Sequence, residues 1–266
     1  MALIQNEKGL AASFNKLAAT YDEETAAFHH ALVDYIVKDI LNLILPTPEN
    51  NYHILDSGGG TGKWTMYLAK RGYRVTLTDI SEQSLNRAKE KIKANKLSVH
   101  DIIQCNSEST PFRDSSFDGL VLMGGVLSYT PDTISLLKEC YRIIKPKGFI
   151  LFDFLNTYGW AVETPDPAKK AEIALAKEIL VQMPDWDYPA RLINPEYAEK
   201  MICDFGFNLQ RKWGLVNLSV SLPLEYRYDK DYNHDILDKY KKAELEMSKN
   251  QDCYGTAFCC MIFAAK

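Results

Sequence analysis

Apolar residues recur along this chain with two periods, and stretches of the two kinds take turns. Residues 53–55, 117–123 and 149–154 are apolar nearly throughout, as in strands buried on both faces. At 73–79, Val75 and Leu77 alternate with polar residues, which also reads as a strand. Residues 102–104, 208–216 and 254–264 complete the set of predicted strands. Between them lie helical patterns at 63–71, from Ser81 onward, at 136–145, at 168–182 and at 231–249. Pro146 and Gly148 end the third of these, and pairs such as Asp238 with Lys242 lace the last. A further helix starts at Asn194, placed as N-cap with Pro195 at the first turn, and Gly206 ends it. Ahead of the first strand, Phe14, Leu17 and Tyr21 share one helix face, and residues 24–41 form a second helix with Ala27, Val33 and Ile36 facing inward. Alternating strands and helices predict an α/β domain built on a mostly parallel sheet.

The loop after the first strand carries the chemistry. Asp56-Ser57-Gly58-Gly59-Gly60-Thr61-Gly62 joins a strand to a helix, with glycines at alternate positions 58, 60 and 62. Glycine accepts positive φ and leaves no Cβ between backbone and ligand. The following helix N-terminus offers free N–H groups to a nucleotide. The spacing is not the dinucleotide fingerprint G-x-G-x-x-G, whose third small residue would fall on Lys63 or Thr65. Asp79 ends the second strand about 20 residues past this turn, where an acid accepts from ribose hydroxyls. The rival reading is that Asp79 caps the helix opening at Ser81-Glu82-Gln83-Ser84.

Two further stretches follow in order. Asn106-Ser107-Glu108-Ser109-Thr110-Pro111-Phe112 comes after the third strand and leads to Ser116-Phe117-Asp118. Gly124-Gly125-Val126-Leu127-Ser128-Tyr129 follows the fourth strand. Taken with the G-x-G-x-G loop, its preceding acid and Asp79, this ordered set resembles the class I S-adenosylmethionine (SAM)-dependent methyltransferases over roughly residues 10 to 160. Three positions depart from the family pattern. Asn106 stands where the family has an acid that accepts from the adenine amino group, and its amide oxygen can still accept. Thr110 replaces a Leu, and Lys147 stands where Gly is common.

The resemblance implies a Rossmann-like seven-stranded sheet of order 3-2-1-4-5-7-6, with strand 7 antiparallel. It also implies an N-terminal helical lid over residues 1–45 and a SAM-binding domain over 46–266, with a helical insertion after strand 5 at 161–193. Expected cofactor contacts are Tyr21, Asp56, Gly58, Gly60, Gly62, Asp79, Ile80, Asn106, Ser107, Glu108, Met123 and Gly124. The opening Ser13 to Asp22 matches the family's F-x-x-x-A-x-x-Y-D, which in small-molecule members sets the Tyr near the sulfonium; an aromatic face attracts a cation. Tyr21 can equally be a packed helix-face residue. His30 is a candidate general base, its pKa lying near working pH, or else an ordinary helix-face histidine. Ligands of open α/β sheets bind beyond the carboxyl ends of the strands. That rule nominates Tyr129, Asp153, Asn156, Tyr158 and Trp160 for the acceptor side, with Trp186, Tyr188 and Arg191 from the insertion. The insertion is either a substrate cover or an added packing helix.

Composition narrows the rest. Length 266 suits one α/β domain with insertions, and 46% apolar residues suffice for its core. A net charge of −4 speaks against nucleic acid as the partner, and the Lys-rich stretch 89–96 spreads around a helix as a solvated face. No Asn/Asp-Pro-Pro-Tyr/Phe follows strand four, which argues against the base-amino methyltransferases of nucleic acids. Six cysteines without a C-x-x-C pair, and scattered histidines, lead to no metal expectation. No signal peptide or long apolar span is seen, so a reducing cytoplasm, no membrane partner, and a monomer or homodimer are expected. The expected activity is SAM-dependent methyl transfer to a small-molecule acceptor by in-line displacement. The alternatives are a SAM-using enzyme that moves or cyclises the aminocarboxypropyl arm, releasing methylthioadenosine, and a non-catalytic SAM-binding partner protein. Which acceptor, and which of its atoms, the sequence does not name.

Overall fold

The computed structural model describes residues 3–48, 52–183 and 186–266. Its strands are β1 (His53–Ser57), β2 (Arg74–Asp79), β3 (Asp101–Gln104), β4 (Phe117–Leu122), β5 (Ile144–Leu155), β6 (Glu178–Val181), β7 (Ala190–Ile193), β8 (Asn208–Leu215) and β9 (Cys259–Ala265). Seven form one sheet in the order β3-β2-β1-β4-β5-β9-β8. The first five run parallel, while β9 is antiparallel to both β5 and β8. With β8 and β9 as the sixth and seventh strands, this is the expected Rossmann-like order.

The helices are α1 (Glu7–Leu17), α2 (Tyr21–Glu24), α3 (Phe28–Ile44), α4 (Lys63–Lys70), α5 (Glu82–Ala94), α6 (Val126–Tyr129), α7 (Thr133–Ile143), α8 (Thr157–Glu163), α9 (Pro167–Leu175), α10 (Pro195–Asp204), α11 (Leu224–Arg227) and α12 (His234–Lys249). Successive strand residues point to opposite faces of the sheet, and the two faces build two cores. Leu55, Leu120, Phe152 and Ile262 pack with Leu137 of α7 and Ile202 of α10. Ile54, Val121, Leu151 and Met261 pack with Ile40 of α3 and Leu68 of α4. Covered on both sides, β4 and the second half of β5 are buried almost continuously, which is why their sequences do not alternate.

Several boundaries differ from the sequence expectation. The opening helix does not run through Tyr21: it ends at Leu17, and Tyr21 starts a separate turn. The next helix runs Phe28–Ile44 instead of 24–41, with the Phe28 N–H donating to Asp229 O. The helix expected at 168–182 stops at Leu175. Residues 178–181 instead pair antiparallel with β7, Ile179 opposite Leu192, because their partly buried side chains and the facing strand together satisfy backbone and apolar groups. Pro184 and Asp185, in the aromatic end of that insertion, lie outside the described residues. The last strand begins at Cys259, since residues 251–256 form a 3-10 turn. Asn233 caps α12, and Asp238 pairs with Lys241 at 2.9 Å in place of Lys242. Lys147 adopts φ 67°, the left-handed conformation for which a Gly would be the easy choice.

Candidate functional site

The glycine loop leaves β1 and enters α4 at Gly62, the N-cap residue, whose φ of 82° is left-handed. At Gly60 the φ is 55° and the front of the residue is open: an added Cβ would meet nothing closer than Asp79 Oδ2 at 3.9 Å. Asp79 closes β2 directly beneath. One carboxylate oxygen accepts from Gly60 N and the other from Ser81 N, each at 2.8 Å. Ser81 itself is the N-cap of α5, accepting from Ser84 N at 3.1 Å. Asp79 therefore ties the loop to the start of α5 while presenting its carboxylate to the space before Gly60. Burial pushes its pKa up to about 6 against the pull of these N–H donors.

These groups line one side of a cleft of about 1140 Å³, part of it open to solvent. Gly58, Ile80, Asn106, Ser107, Met123 and Gly124 lie on its wall. The amide oxygen of Asn106 accepts from Glu108 N at 2.9 Å, and Ser57 donates to Ser107 at 2.9 Å, so a hydrogen-bonded turn fixes this edge. Three of the residues expected at the cofactor are not on the wall. Asp56 sits under Gly59, accepting from Thr65 at 2.6 Å, fully buried with its pKa raised to about 6 by burial. Gly62 faces Ala88. Glu108 turns to Thr130 at 2.6 Å and Asp132 N at 2.8 Å.

The N-terminal helices supply the opposite wall through Phe14 and Tyr21, with His30, Val33 and Asp34 from α3. They are fastened across the cleft. Asp22 accepts from Thr61 and from Lys91, both at 2.7 Å. Asn15 accepts from Ser81 Oγ at 2.8 Å, and Asp34 pairs with Lys63 at 3.1 Å. Burial, then Asp153, keeps the Tyr21 phenol protonated far above its ordinary range. Burial, then Lys63, lowers His30 to about 4, so its ring is neutral at pH 7.

Part of the sequence, and the fold, resemble those of known proteins. Residues 55–152 match the family described as "Methyltransferase domain". The ubiquinone/menaquinone biosynthesis C-methyltransferase UbiE of Rickettsia typhi is 40% identical over 119 residues, covering 42% of this chain and 48% of that protein. The putative methyltransferase YqeM of Bacillus subtilis is 33% identical over 156 residues, covering 58% of this chain and 60% of that protein. The chain thus spans about half the length of the curated relatives it matches. The crystal structure of a SAM-dependent methyltransferase from Methanosarcina mazei superposes with a TM-score of 0.59 at 19% identity, over 85% of this chain and 96% of that one, a likeness of fold.

Residues 55–152 form a methyltransferase domain of the class I SAM-dependent type.

The cofactor of this methyltransferase family is SAM. The residues present suit it: a bare backbone at Gly60, and beside it a buried carboxylate free to accept from a diol. Tyr129 of α6 and Asp153 of β5 also line the methyltransferase cleft. Tyr129 stacks on Trp186 with centroids 5.1 Å apart, and Phe14 meets both edge-on at 5.7 and 5.6 Å. The other residues nominated for the acceptor lie off the cleft wall, packed or hydrogen-bonded inside the protein. Asn156 is fully buried and donates to Gly255 O and Ala257 O at 2.8 and 2.7 Å. Tyr158 accepts from Asn194 at 2.9 Å, Trp160 stacks on Phe258 at 5.1 Å, and Tyr188 donates to Asn6 O at 3.3 Å. Arg191 bonds Gln5 at 2.9 Å and Glu178 at 3.1 Å. Conversely Thr25, Asp34, Thr61, Lys63, Trp64 and Ser84 line the cleft without having been nominated. Thr61 lies inside the loop motif itself; the Asp34–Lys63 pair joins helices 29 residues apart, and no local signal announces it. Among the described residues no cluster of His, Cys, Asp or Glu could hold a metal ion, and no helix is long and apolar enough to cross a membrane.

Proposed function

We propose that this cleft holds SAM and brings a small-molecule acceptor against it for methyl transfer. The observation carrying the reading is that one cavity is lined both by the glycine loop with Asp79 and by the aromatic ring of Tyr129 and the carboxylate of Asp153. In this reading the backbone of Gly58 and Gly60 approaches the cofactor, Asp79 accepts from the ribose hydroxyls, and Asn106, Ser107 and Ile80 border the base. SAM, when bound, supplies a methyl activated by a sulfonium. The protein orients the nucleophile toward it and excludes water, which the N-terminal helices do as a lid fastened through Asp22 and Asn15. Tyr21 turns an aromatic, neutral phenol toward the same space. His30, neutral at pH 7, is able to accept a proton there.

The test is direct. The purified protein is incubated with SAM alone and with SAM plus a pooled metabolite extract, and products are followed by mass spectrometry. S-adenosylhomocysteine formed only with extract, together with a partner heavier by one methylene, is the expected result. Methylthioadenosine forming faster than in a protein-free control would replace this reading with cleavage or cyclisation of SAM. Neither product, with no SAM bound in calorimetry, would refute it.

A further inference from the structure

The charges lining the cleft do not balance. Its charged side chains are the carboxylates of Asp34, Asp79 and Asp153 and the ammonium of Lys63. Lys63 is committed to Asp34 at 3.1 Å. Asp79 and Asp153 have no cationic side chain within ion-pair distance among the described residues, although both are at least nine-tenths buried. A buried carboxylate without a cation is costly, and its retention calls for a partner that arrives with the ligand. SAM brings two positive groups and one carboxylate, which offsets only one of the two uncompensated acids. The second calls for another cation, and the acceptor is the remaining occupant.

Geometry says which acid faces the acceptor. Asp79 belongs to the glycine-loop wall, bonded to Gly60 N. Asp153 borders the same cleft from the C-terminal end of β5, where ligands of such sheets bind. Its oxygens accept from Gly124 N at 3.1 Å and Gly125 N at 2.7 Å, one each. A carboxylate has about four lone-pair sites, so both oxygens keep capacity toward the cleft. The Tyr21 hydroxyl lies beside Gly124, 3.6 Å from where a Cβ would stand, and the Tyr129 ring borders the same space. Aromatic faces around an acid form a site for an organic cation.

We infer that the acceptor is a protonated amine, bound through its ammonium to Asp153 and through its carbon skeleton to the Tyr129 and Phe14 rings. The inference rests on the reading of the cleft as a SAM site. Asp153 also provides the route to a nucleophile: a proton passes from the ammonium nitrogen to a carboxylate oxygen, one N–H bond breaking and one O–H bond forming, and the opposite charges cancel. The neutral amine left behind carries the lone pair an in-line displacement needs. Burial sets Asp153 near 6, high for a carboxylate, so it holds a proton better than an exposed acid would. The titratable groups facing it are the phenols of Tyr21 and Tyr129 and the thiol of Cys259, all pushed up by burial and neutral at pH 7. His30, which also lines the cleft, is neutral above pH 5.

The test uses the full chain loaded with S-adenosylhomocysteine and sets of three ligands with one skeleton: benzylamine, benzyl alcohol and benzoate, and the phenethyl equivalents. Calorimetry at pH 8 is expected to give amines at least tenfold tighter than the matching alcohols, with the carboxylates weakest. The preference should shrink severalfold at pH 5, where Asp153 is protonated. Asp153→Asn should erase it while S-adenosylhomocysteine affinity stays within a few-fold. Should that variant not fold, the pH dependence of the wild-type preference decides alone. Amines binding no better than alcohols at pH 8, or a preference unchanged at pH 5, would overturn the inference and leave the SAM reading standing. Failure to bind S-adenosylhomocysteine at all would remove both.

Discussion

Gly60 donates its backbone N–H to Asp79 at 2.8 Å, so the tip of the glycine loop and the end of the neighbouring strand are held as one rigid edge. The same carboxylate takes Ser81 N at 2.8 Å. A group with both duties cannot be changed silently. Asp79→Asn keeps the size but loses the charge and one acceptor. It is expected to weaken SAM binding by about 1–3 kcal/mol, the cost of losing charge-assisted hydrogen bonds. Calorimetry with SAM checks this, and an unchanged affinity would disprove the ribose role.

Gly62 caps α4 at φ 82°, and an added Cβ would stand 3.0 Å from Ala88 Cβ. Gly62→Ala is expected to cost about 1–3 kcal/mol of folding stability from the left-handed backbone alone. Gly255→Ala is the control: a Cβ there meets nothing within 4 Å and φ is not left-handed. Urea unfolding of the pair should separate them clearly, and equal stabilities would contradict the strain argument.

The parts of this fold written in local patterns were legible. The glycine spacing and the acid at the end of β2 are short-range requirements of backbone and ligand, and the family resemblance they carry implies the sheet order that the structure has. Residues 178–181 read as helix because the three apolar residues Ile179, Leu180 and Val181 have no period of their own; the partner β7 decides, and that is a matter of fold. Asn156 and Arg191 looked like ligand-binding residues at a strand end and on an insertion. Only the tertiary structure reveals that Gly255, Ala257, Gln5 and Glu178 already use their donors. The Asp34–Lys63 pair was invisible for the same reason.

Asp22 bridges the N-terminal helices to Thr61 and Lys91. It is 46% exposed at the side chain, so screening limits its worth to less than about 1 kcal/mol of stability. Asp22→Ala should therefore leave global unfolding nearly untouched. It should instead raise hydrogen exchange and proteolysis within residues 7–24, and speed SAM release. No change in local exchange would mean that Asn15 and the aromatic contacts hold the N-terminal helices unaided.

Glu244 of α12 is fully buried and accepts three successive backbone N–H groups, from Asn217 at 2.7 Å, Leu218 at 3.0 Å and Ser219 at 2.7 Å. The chain enters this turn through Val216 at φ 63°, a conformation a β-branched residue avoids. The carboxylate is what compensates that strain. Glu244→Ala leaves three donors without their acceptor, and is expected to lose on the order of 3 kcal/mol. Urea unfolding gives the value; a loss below about 1 kcal/mol would mean that water replaces the carboxylate.

His29 is buried against Phe258, ring centroids 5.0 Å apart, and its Nδ1 has no hydrogen-bond partner. Burial first, then His30 and Arg227, holds its pKa well below 6.5. A base whose folded pKa is depressed stabilises the fold fully above its unfolded value and loses that stability as pH falls. Asp56, Asp79 and Asp153, each raised to about 6, act with the opposite sign: their folded forms favour the proton, so stability grows as pH falls through 6 toward 4. Wild-type stability is thus a contest between the two sets in one window. His29→Phe keeps an edge-on aromatic contact and removes one contestant. Its stability relative to wild type should be near zero at pH 7 and increasingly positive from pH 6.5 down to 4, read from urea unfolding at each pH. Parallel curves would mean that His29 takes up its proton as easily folded as unfolded, which a ring buried without a partner for Nδ1 should not do.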